Sequence, residues 1–297
     1  MSGRAVVTAG TGGIGLETAM GLAASGYAVT VVGRNAERGA RAVERIDAVG
    51  TGPGARFVQA DLASLSAVRA LAAQLAEEGP LQILVNNVGA MFTDRQRTVD
   101  DIEATFAVNH LSPYLLTELL LDQLRAGAPS RIVNVTSGAI RAAKRIFQAV
   151  EPPGGYYGFH WYGRAKLANL AYTLDLAERL RDSGVSVFAA DPGGADTDMT
   201  DGSMRSPAIV SPPLRLLWPL VWRIFERATS GSAAVAARPS LRAATDASLN
   251  GRTGLVIGAR THPVTPFRSA TDPRTAEAVL NLSRKLAPLT PPDKVTV

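Results

Sequence analysis

Tyr162 and Lys166 stand at i and i+4 in the run Tyr162-Gly163-Arg164-Ala165-Lys166. On a helix, side chains at that spacing share a face. A phenol gives up its proton with a pKa of about 10. A fixed ammonium a few ångströms away favours the phenolate and draws that value toward neutrality. The pair is therefore predicted to act as an acid/base device. Of the six tyrosines, Tyr162 alone has a lysine at this offset. The same spacing also occurs on solvated helix faces, so the pair takes its meaning from the rest of the chain.

A second constellation lies near the N-terminus. Thr8-Ala9-Gly10-Thr11-Gly12-Gly13-Ile14-Gly15 separates an apolar strand candidate from a helix candidate. Glycines there let the backbone approach a pyrophosphate, which the amides and positive end of the helix then hold. Two registers fit: Gly10-x-Gly12-x-x-Gly15, and Thr8 followed by Gly13-Ile14-Gly15. The second strand candidate ends at Gly33-Arg34-Asn35, with no acidic residue before Glu37 and with Arg34 and Arg38 instead. A carboxylate at this place binds a ribose 2′-hydroxyl, whereas a guanidinium suits a 2′-phosphate. NADP(H) is thus favoured, the alternative being a solvated surface arginine. Asp61, followed by Leu62, comes just after the third strand candidate and is placed to meet the adenine edge.

These residues need a scaffold. Short apolar runs at Ala5–Ala9, Ala28–Val32, Arg56–Gln59, Gln82–Asn86, Arg131–Thr136, Val185–Ala190 and Gly254–Ile257 read as strands covered on both faces. Between them lie helix candidates at Gly13–Ser25, Ala36–Val49, Leu65–Glu78, Asp101–Arg125, Trp161–Ser183 and Ser230–Thr245. The rhythm predicts an α/β fold: a doubly wound parallel sheet of about seven strands, helices on both faces, ligands at the carboxyl edge. Two segments break it, and both should border the ligand crevice. One is the loop 138–157 with Pro152-Pro153-Gly154-Gly155; the other is 199–229.

With those motifs in order, the chain resembles the short-chain dehydrogenase/reductase family over nearly its whole length. The resemblance rests on Gly13-Ile14-Gly15, Asp61-Leu62, Asn86-Asn87-Val88-Gly89, Asn109, Val135-Thr136-Ser137, Tyr162-x-x-x-Lys166 and Asp191-Pro192-Gly193. It implies one Rossmann-type domain over 1–297, with an active-site loop insertion at 138–157 and a lid at 199–229. It also implies a catalytic tetrad of Asn109, Ser137, Tyr162 and Lys166. Tyr162 would protonate a carbonyl oxygen, Ser137 would donate a hydrogen bond to it, and Lys166 would lower the tyrosine pKa and bind the nicotinamide ribose. Asn109 would hold a water linking Lys166 to solvent. The implied cofactor contacts are Thr8, Gly10, Gly12, Gly13, Ile14, Gly15, Arg34, Asn35, Asp61, Leu62, Asn87, Gly89, Tyr162, Lys166, Pro192, Gly193 and Thr197.

The chain departs from the family pattern in three places. Ala9 replaces the first glycine of the turn, which is tolerable at negative φ. Val88 replaces an alanine, and Gly194-Ala195-Asp196 is unusually small and acidic. The long interval from Ser137 to Tyr162, together with Leu167-Ala168-Asn169 and Val108-Asn109-His110-Leu111, looks most like the retinol dehydrogenase and protochlorophyllide reductase branch. That branch takes bulky apolar ketones, aldehydes or alcohols, usually with NADP(H). Leu214, Leu217, Trp218, Val221, Trp222 and Phe225 fall at helical spacing. They read as a core helix, a lid over an apolar ring system, or a membrane-surface contact, with a bend or new start at Pro219.

Composition narrows the remaining classes. There is no cysteine, so disulfides and thiol chemistry are excluded, and the three histidines have no metal-ligand spacing. Net charge is +5, yet the dense basic run Arg141–Arg145 lacks interleaved aromatics, so nucleic acid is not the expected partner. No signal peptide or membrane-length apolar stretch is read, which makes a cytoplasmic location without a membrane anchor the expectation. The family resemblance implies a homodimer or tetramer, but a Pro-rich tail from Pro288 could obstruct one such surface, so assembly is left open. The reading is an NADP(H)-dependent ketoreductase for an apolar, ring-containing substrate such as a specialised metabolite. A non-redox isomerase or eliminase and a silent NADP(H) sensor are the alternatives.

Overall fold

The computed structural model describes residues 3–193, 206–219, 222–223 and 231–290. Among the described residues, eight strands form one sheet in the order β3-β2-β1-β4-β5-β6-β7-β8. They are β1 (Arg4–Thr8), β2 (Ala28–Gly33), β3 (Ala55–Gln59), β4 (Ile83–Asn86), β5 (Ser130–Val135), β6 (Val185–Ala190), β7 (Leu255–Ile257) and β8 (Pro263–Val264). All pairings are parallel except that of β8 on β7.

The apolar runs are continuous because the pleat divides them between two cores. Val6, Leu84, Ile132 and Val187 face one core, filled by Leu71, Leu115 and Leu170. Ala5, Val7, Ile83, Val85, Val133 and Phe188 face the other, filled by Leu16, Leu22 and Ala243. The helices therefore lie on both faces of the sheet, as the rhythm predicts.

Caps set the helix starts. Helix α1 (Gly13–Ala24) starts from Gly12, which offers no side-chain acceptor. Helices α2 (Ala36–Asp47) and α3 (Leu65–Glu77) start from Asn35 and Ser64, which accept from Arg38 N and Ala67 N. The long helix expected over Asp101–Arg125 is broken. A short turn, α4 (Ala104–Phe106), passes through a π-helical segment at Ala107–Leu111 into α5 (Ser112–Leu119) and α6 (Leu121–Ala126). The Tyr162 helix, α7 (Gly158–Arg179), starts earlier than the sequence suggests. Next come α8 (Pro212–Leu216), α9 (Ala233–Thr245) and α10 (Pro273–Leu286). Neither α10 nor β8 is anticipated from the sequence.

One expectation about the turn is corrected. Ala9 has φ +50°, inside the left-handed region rather than at negative φ. Its neighbours leave little room to relax: a Cβ on Gly15 would fall 2.3 Å from the Ala9 carbonyl oxygen. A left-handed L-residue costs about 1–2 kcal/mol, part of which glycine returns through greater freedom when unfolded. Ala9→Gly should therefore stabilise the protein by about 1 kcal/mol, raising Tm by about 2 °C. An unchanged or lower melting temperature in a thermal scan would show that the alanine is unstrained.

Candidate active site

Four strand ends converge at the carboxyl edge of the sheet. β1 leads into the glycine-rich turn, β4 into Asn87-Val88-Gly89, β5 into Ser137, and β6 into Asp191-Pro192-Gly193. The turn is organised from within. The wholly buried Thr8 hydroxyl accepts from the amides of Asn87 (3.0 Å) and Val88 (3.2 Å), and Asn87 Nδ2 donates to the Thr8 carbonyl at 3.2 Å. Thr8 thus latches β1 to β4.

The rest of the turn suits an anion. Gly13 has φ +51°, and Gly12 leaves the first-turn amides of α1 without a side-chain acceptor. Gly12, Gly13, Ile14 and Gly15 therefore present orphan donors at the positive end of a helix, while the Gly10 amide donates to the Val32 carbonyl at 3.2 Å. Arg34 is exposed just after β2, and Asn35 is committed to capping α2. Asp61 is exposed, with Oδ1 accepting from Ala63 N at 3.0 Å, while Leu62 is buried beneath it. Gly89 and Pro192 are partly buried and Gly193 is exposed at φ +71°. Thr197 and Gly194-Ala195-Asp196 lie outside the described residues.

The tetrad candidates meet next to this turn. Tyr162 is buried, and the half-buried Ser137 hydroxyl, which accepts from Ala139 N at 3.2 Å, lies on the phenol's side and favours its ionised form. Lys166, also buried, donates from Nζ to the carbonyls of Val88 (3.1 Å) and Val135 (3.0 Å), 5.7 Å from the Tyr162 ring centre. Asn109 Nδ2 donates to Ala90 O (2.7 Å) and Thr105 O (2.8 Å), and its Oδ1 accepts from Ala90 N (3.1 Å). Both of its amide protons are used and no surface is exposed. The Asn109 side chain thus braces the strand end whose Val88 carbonyl receives Lys166.

The electrostatics also differ from expectation. Burial pushes the Tyr162 phenol well above its ordinary value; the Ser137 hydroxyl pulls it back, and the Asp191 charge adds to the rise. Lys166 is not a fixed charge, because burial lowers its pKa to about 7. The phenol is therefore fully protonated at neutral pH, the state a proton donor needs. Around it lie Met91, Ala139, Ile209 and Val210, with Phe159, Leu214 and Trp218 packed against them. Leu214 and Trp218 of the predicted stripe thus face the site. Leu217 does not, being 55% exposed beside Leu216 at 86%. Val221 and Phe225 lie outside the described residues.

A family model described as short chain dehydrogenase matches residues 4–207. The chain belongs to that family. This short chain dehydrogenase is 37% identical to mouse retinol dehydrogenase 12 over 228 residues, 76% of this chain and 70% of the relative. It is 36% identical over 290 residues to bovine dehydrogenase/reductase SDR family member 13, covering 97% of this chain and 74% of the relative. Among solved structures, an uncharacterized protein from Mycobacterium paratuberculosis aligns with TM-score 0.74 and 27% identity, covering 96% of this chain and 92% of that one. The Pseudomonas aeruginosa RhlG/NADP active-site complex aligns with TM-score 0.64 and 26% identity, covering 86% and 94%.

Short chain dehydrogenases are oxidoreductases that use a nicotinamide cofactor on small molecules, and the retinol dehydrogenase relatives place this one in their branch. The uncapped α1 terminus and the glycine turn fit a pyrophosphate-bearing cofactor. Among the described residues, none of the helices is long and apolar enough to cross a membrane, and no cluster of potential metal ligands is found.

Two polar residues of this short chain dehydrogenase escaped the sequence reading. Buried Glu103 caps α4, accepting from Thr105 N and Phe106 N at 2.8 Å each. Arg164, inside the Tyr162–Lys166 motif, is wholly buried. The only signal in the sequence was a charged residue inside an otherwise apolar helix face.

Proposed function

We propose that this short chain dehydrogenase uses NADPH to reduce the carbonyl of a bulky, apolar, ring-containing substrate. The observation that carries the reading is a buried phenol, near a serine hydroxyl and set against an apolar wall. Bound NADPH supplies the hydride. Tyr162 gives its proton to the carbonyl oxygen as negative charge develops there, and Ser137 donates a second hydrogen bond to that oxygen. Lys166, anchored on the Val88 and Val135 carbonyls, holds its amine beside the phenol and toward the ribose. Asn109 keeps the Val88–Ala90 strand end in place. Met91, Ile209, Val210 and Trp218 exclude water and favour apolar substrates.

The preference for NADPH is supported by the exposed Arg34 and Arg38 after β2. The next carboxylate along the chain, Glu37, pairs with Arg41 at 2.8 Å. Arg34→Ala should raise the Kd for NADPH about tenfold while changing that for NADH less than twofold. Equal losses in a fluorescence titration would remove the phosphate assignment. For the function itself, the test is NADPH consumption with aromatic and polycyclic ketones, aldehydes and quinones, against short aliphatic ketones. Turnover confined to the large apolar carbonyls is expected. Turnover with none, despite cofactor binding, would overturn the reading.

A further inference from the structure

The loop 138–157 leaves Ser137 and returns to the Tyr162 helix, so its path borders the reacting group at both ends. Beyond the short 3₁₀ turn at Gly138–Ala142 it has no regular structure, and its carbonyls need donors from elsewhere. A single side chain supplies three of those bonds. Arg164 donates from Nε to Ile146 O at 2.9 Å, and from Nη2 to Ala149 O at 3.1 Å and Val150 O at 3.3 Å. Its guanidinium carbon lies 4.5 Å from the ring centre of Phe106, 5.2 Å from that of Phe147 and 5.9 Å from that of Trp161.

A wholly buried guanidinium demands compensation. Burial lowers its pKa to about 10, opposed by the charges of Glu103 and Glu151, so it is cationic at neutral pH. Glu103 caps the turn that leads to Asn109. Glu151 ties the outside of the loop to Arg95 (2.9 Å) and Arg97 (2.7 Å). At the near end, His160 Nδ1 meets Ala142 O at 2.8 Å, and Gly163 allows Ala139 to lie directly on the helix: a Cβ there would fall 2.4 Å from the Ala139 carbonyl oxygen. Ala139 in turn packs beside Tyr162.

We propose that Arg164 is a positioning residue: it fastens the 138–157 loop to the Tyr162 helix and so sets the substrate-side wall. The proposal rests on the carbonyl-reductase reading for its kinetic readout. The reacting groups, Ser137 just after β5 and Tyr162 on α7, lie apart from the Ile146–Val150 stretch whose carbonyls Arg164 holds. Its loss should therefore loosen the wall without moving the chemistry. A planar fork aimed at three carbonyls cannot be replaced by the point charge of lysine.

The test compares wild type with Arg164→Met and Arg164→Lys. Both variants should raise KM for an apolar ketone about tenfold, with kcat and the Kd for NADPH within about threefold. Trypsin should also cut faster after Arg141, Lys144 and Arg145. Lower kcat at unchanged KM would overturn the proposal, placing Arg164 in the chemistry. Unchanged cleavage of the loop would overturn it even if the wild type turned over no carbonyl, which separates its failure from that of the carbonyl-reductase reading. Should both variants misfold, Phe147→Ala removes the ring stacked on the guanidinium from the loop side. It should show the same KM rise and faster cutting, and neither change appearing would overturn the proposal.

Discussion

Tyr162→Phe should lower kcat by about 10²–10⁴-fold, with the Kd for NADPH changed less than about twofold. The substitution removes one oxygen from a buried ring and leaves the apolar packing against Met91, Ile209 and Val210 intact. What disappears is the proton of the buried phenol, a group whose pKa burial has raised. Ser137 remains and can still donate to the carbonyl oxygen, which is why residual turnover is expected. Steady-state kinetics with the best apolar ketone, alongside a cofactor titration, gives both numbers. Retention of full turnover would remove Tyr162 as the acid.

Lys166→Met should lower kcat about 10²-fold or more and, without cofactor, improve relative stability most at low pH. Burial lowers the lysine pKa from 10.5 to about 7, so between those values the unfolded chain binds the proton and the folded protein does not. Stability from this group therefore rises with pH across that window and is lowest below pH 7. Methionine carries no such penalty, although the Val88 and Val135 carbonyls lose a donor. The stability difference, variant minus wild type, should shrink by at most about 1.4 kcal/mol per pH unit from pH 7 to 10. Chemical denaturation at pH 6.5, 8 and 9.5 measures it. A difference independent of pH would mean that Lys166 keeps its charge throughout.

The parallel sheet was legible because strands covered on both faces must be apolar at every position, as in Ala5-Val6-Val7 or Ile132-Val133. The tetrad candidates were legible as motif positions, and the structure brings Ser137, Tyr162 and Lys166 together. Their energetics were not, because pKa depends on burial and non-local charges such as Asp191. Spacing suggested a charged lysine tuning a phenol; desolvation of both groups reverses that emphasis. Helix α10 was missed because its buried residues, Val279, Leu280, Leu282 and Ser283, are crowded by Arg274, Glu277, Arg284 and Lys285. Its clearest signal was the Asp272-Pro273 start, with the aspartate accepting from Arg274 N. The grip of Arg164 on the loop could not be read at all. Its acceptors are backbone carbonyls, which carry no sequence signature. Thr8 and Asn109 match the motif by type but spend their polar groups on neighbouring backbone.

Hydride transfer from NADPH to a carbonyl, with Tyr162 supplying the proton, is most directly tested with NADPH carrying deuterium at the transferring carbon. Wild-type protein should yield an alcohol containing one deuterium, on a single face, in amounts matching the NADPH consumed, and Tyr162→Phe should yield almost none. An isomerised or eliminated product without deuterium, at constant NADPH, would contradict it.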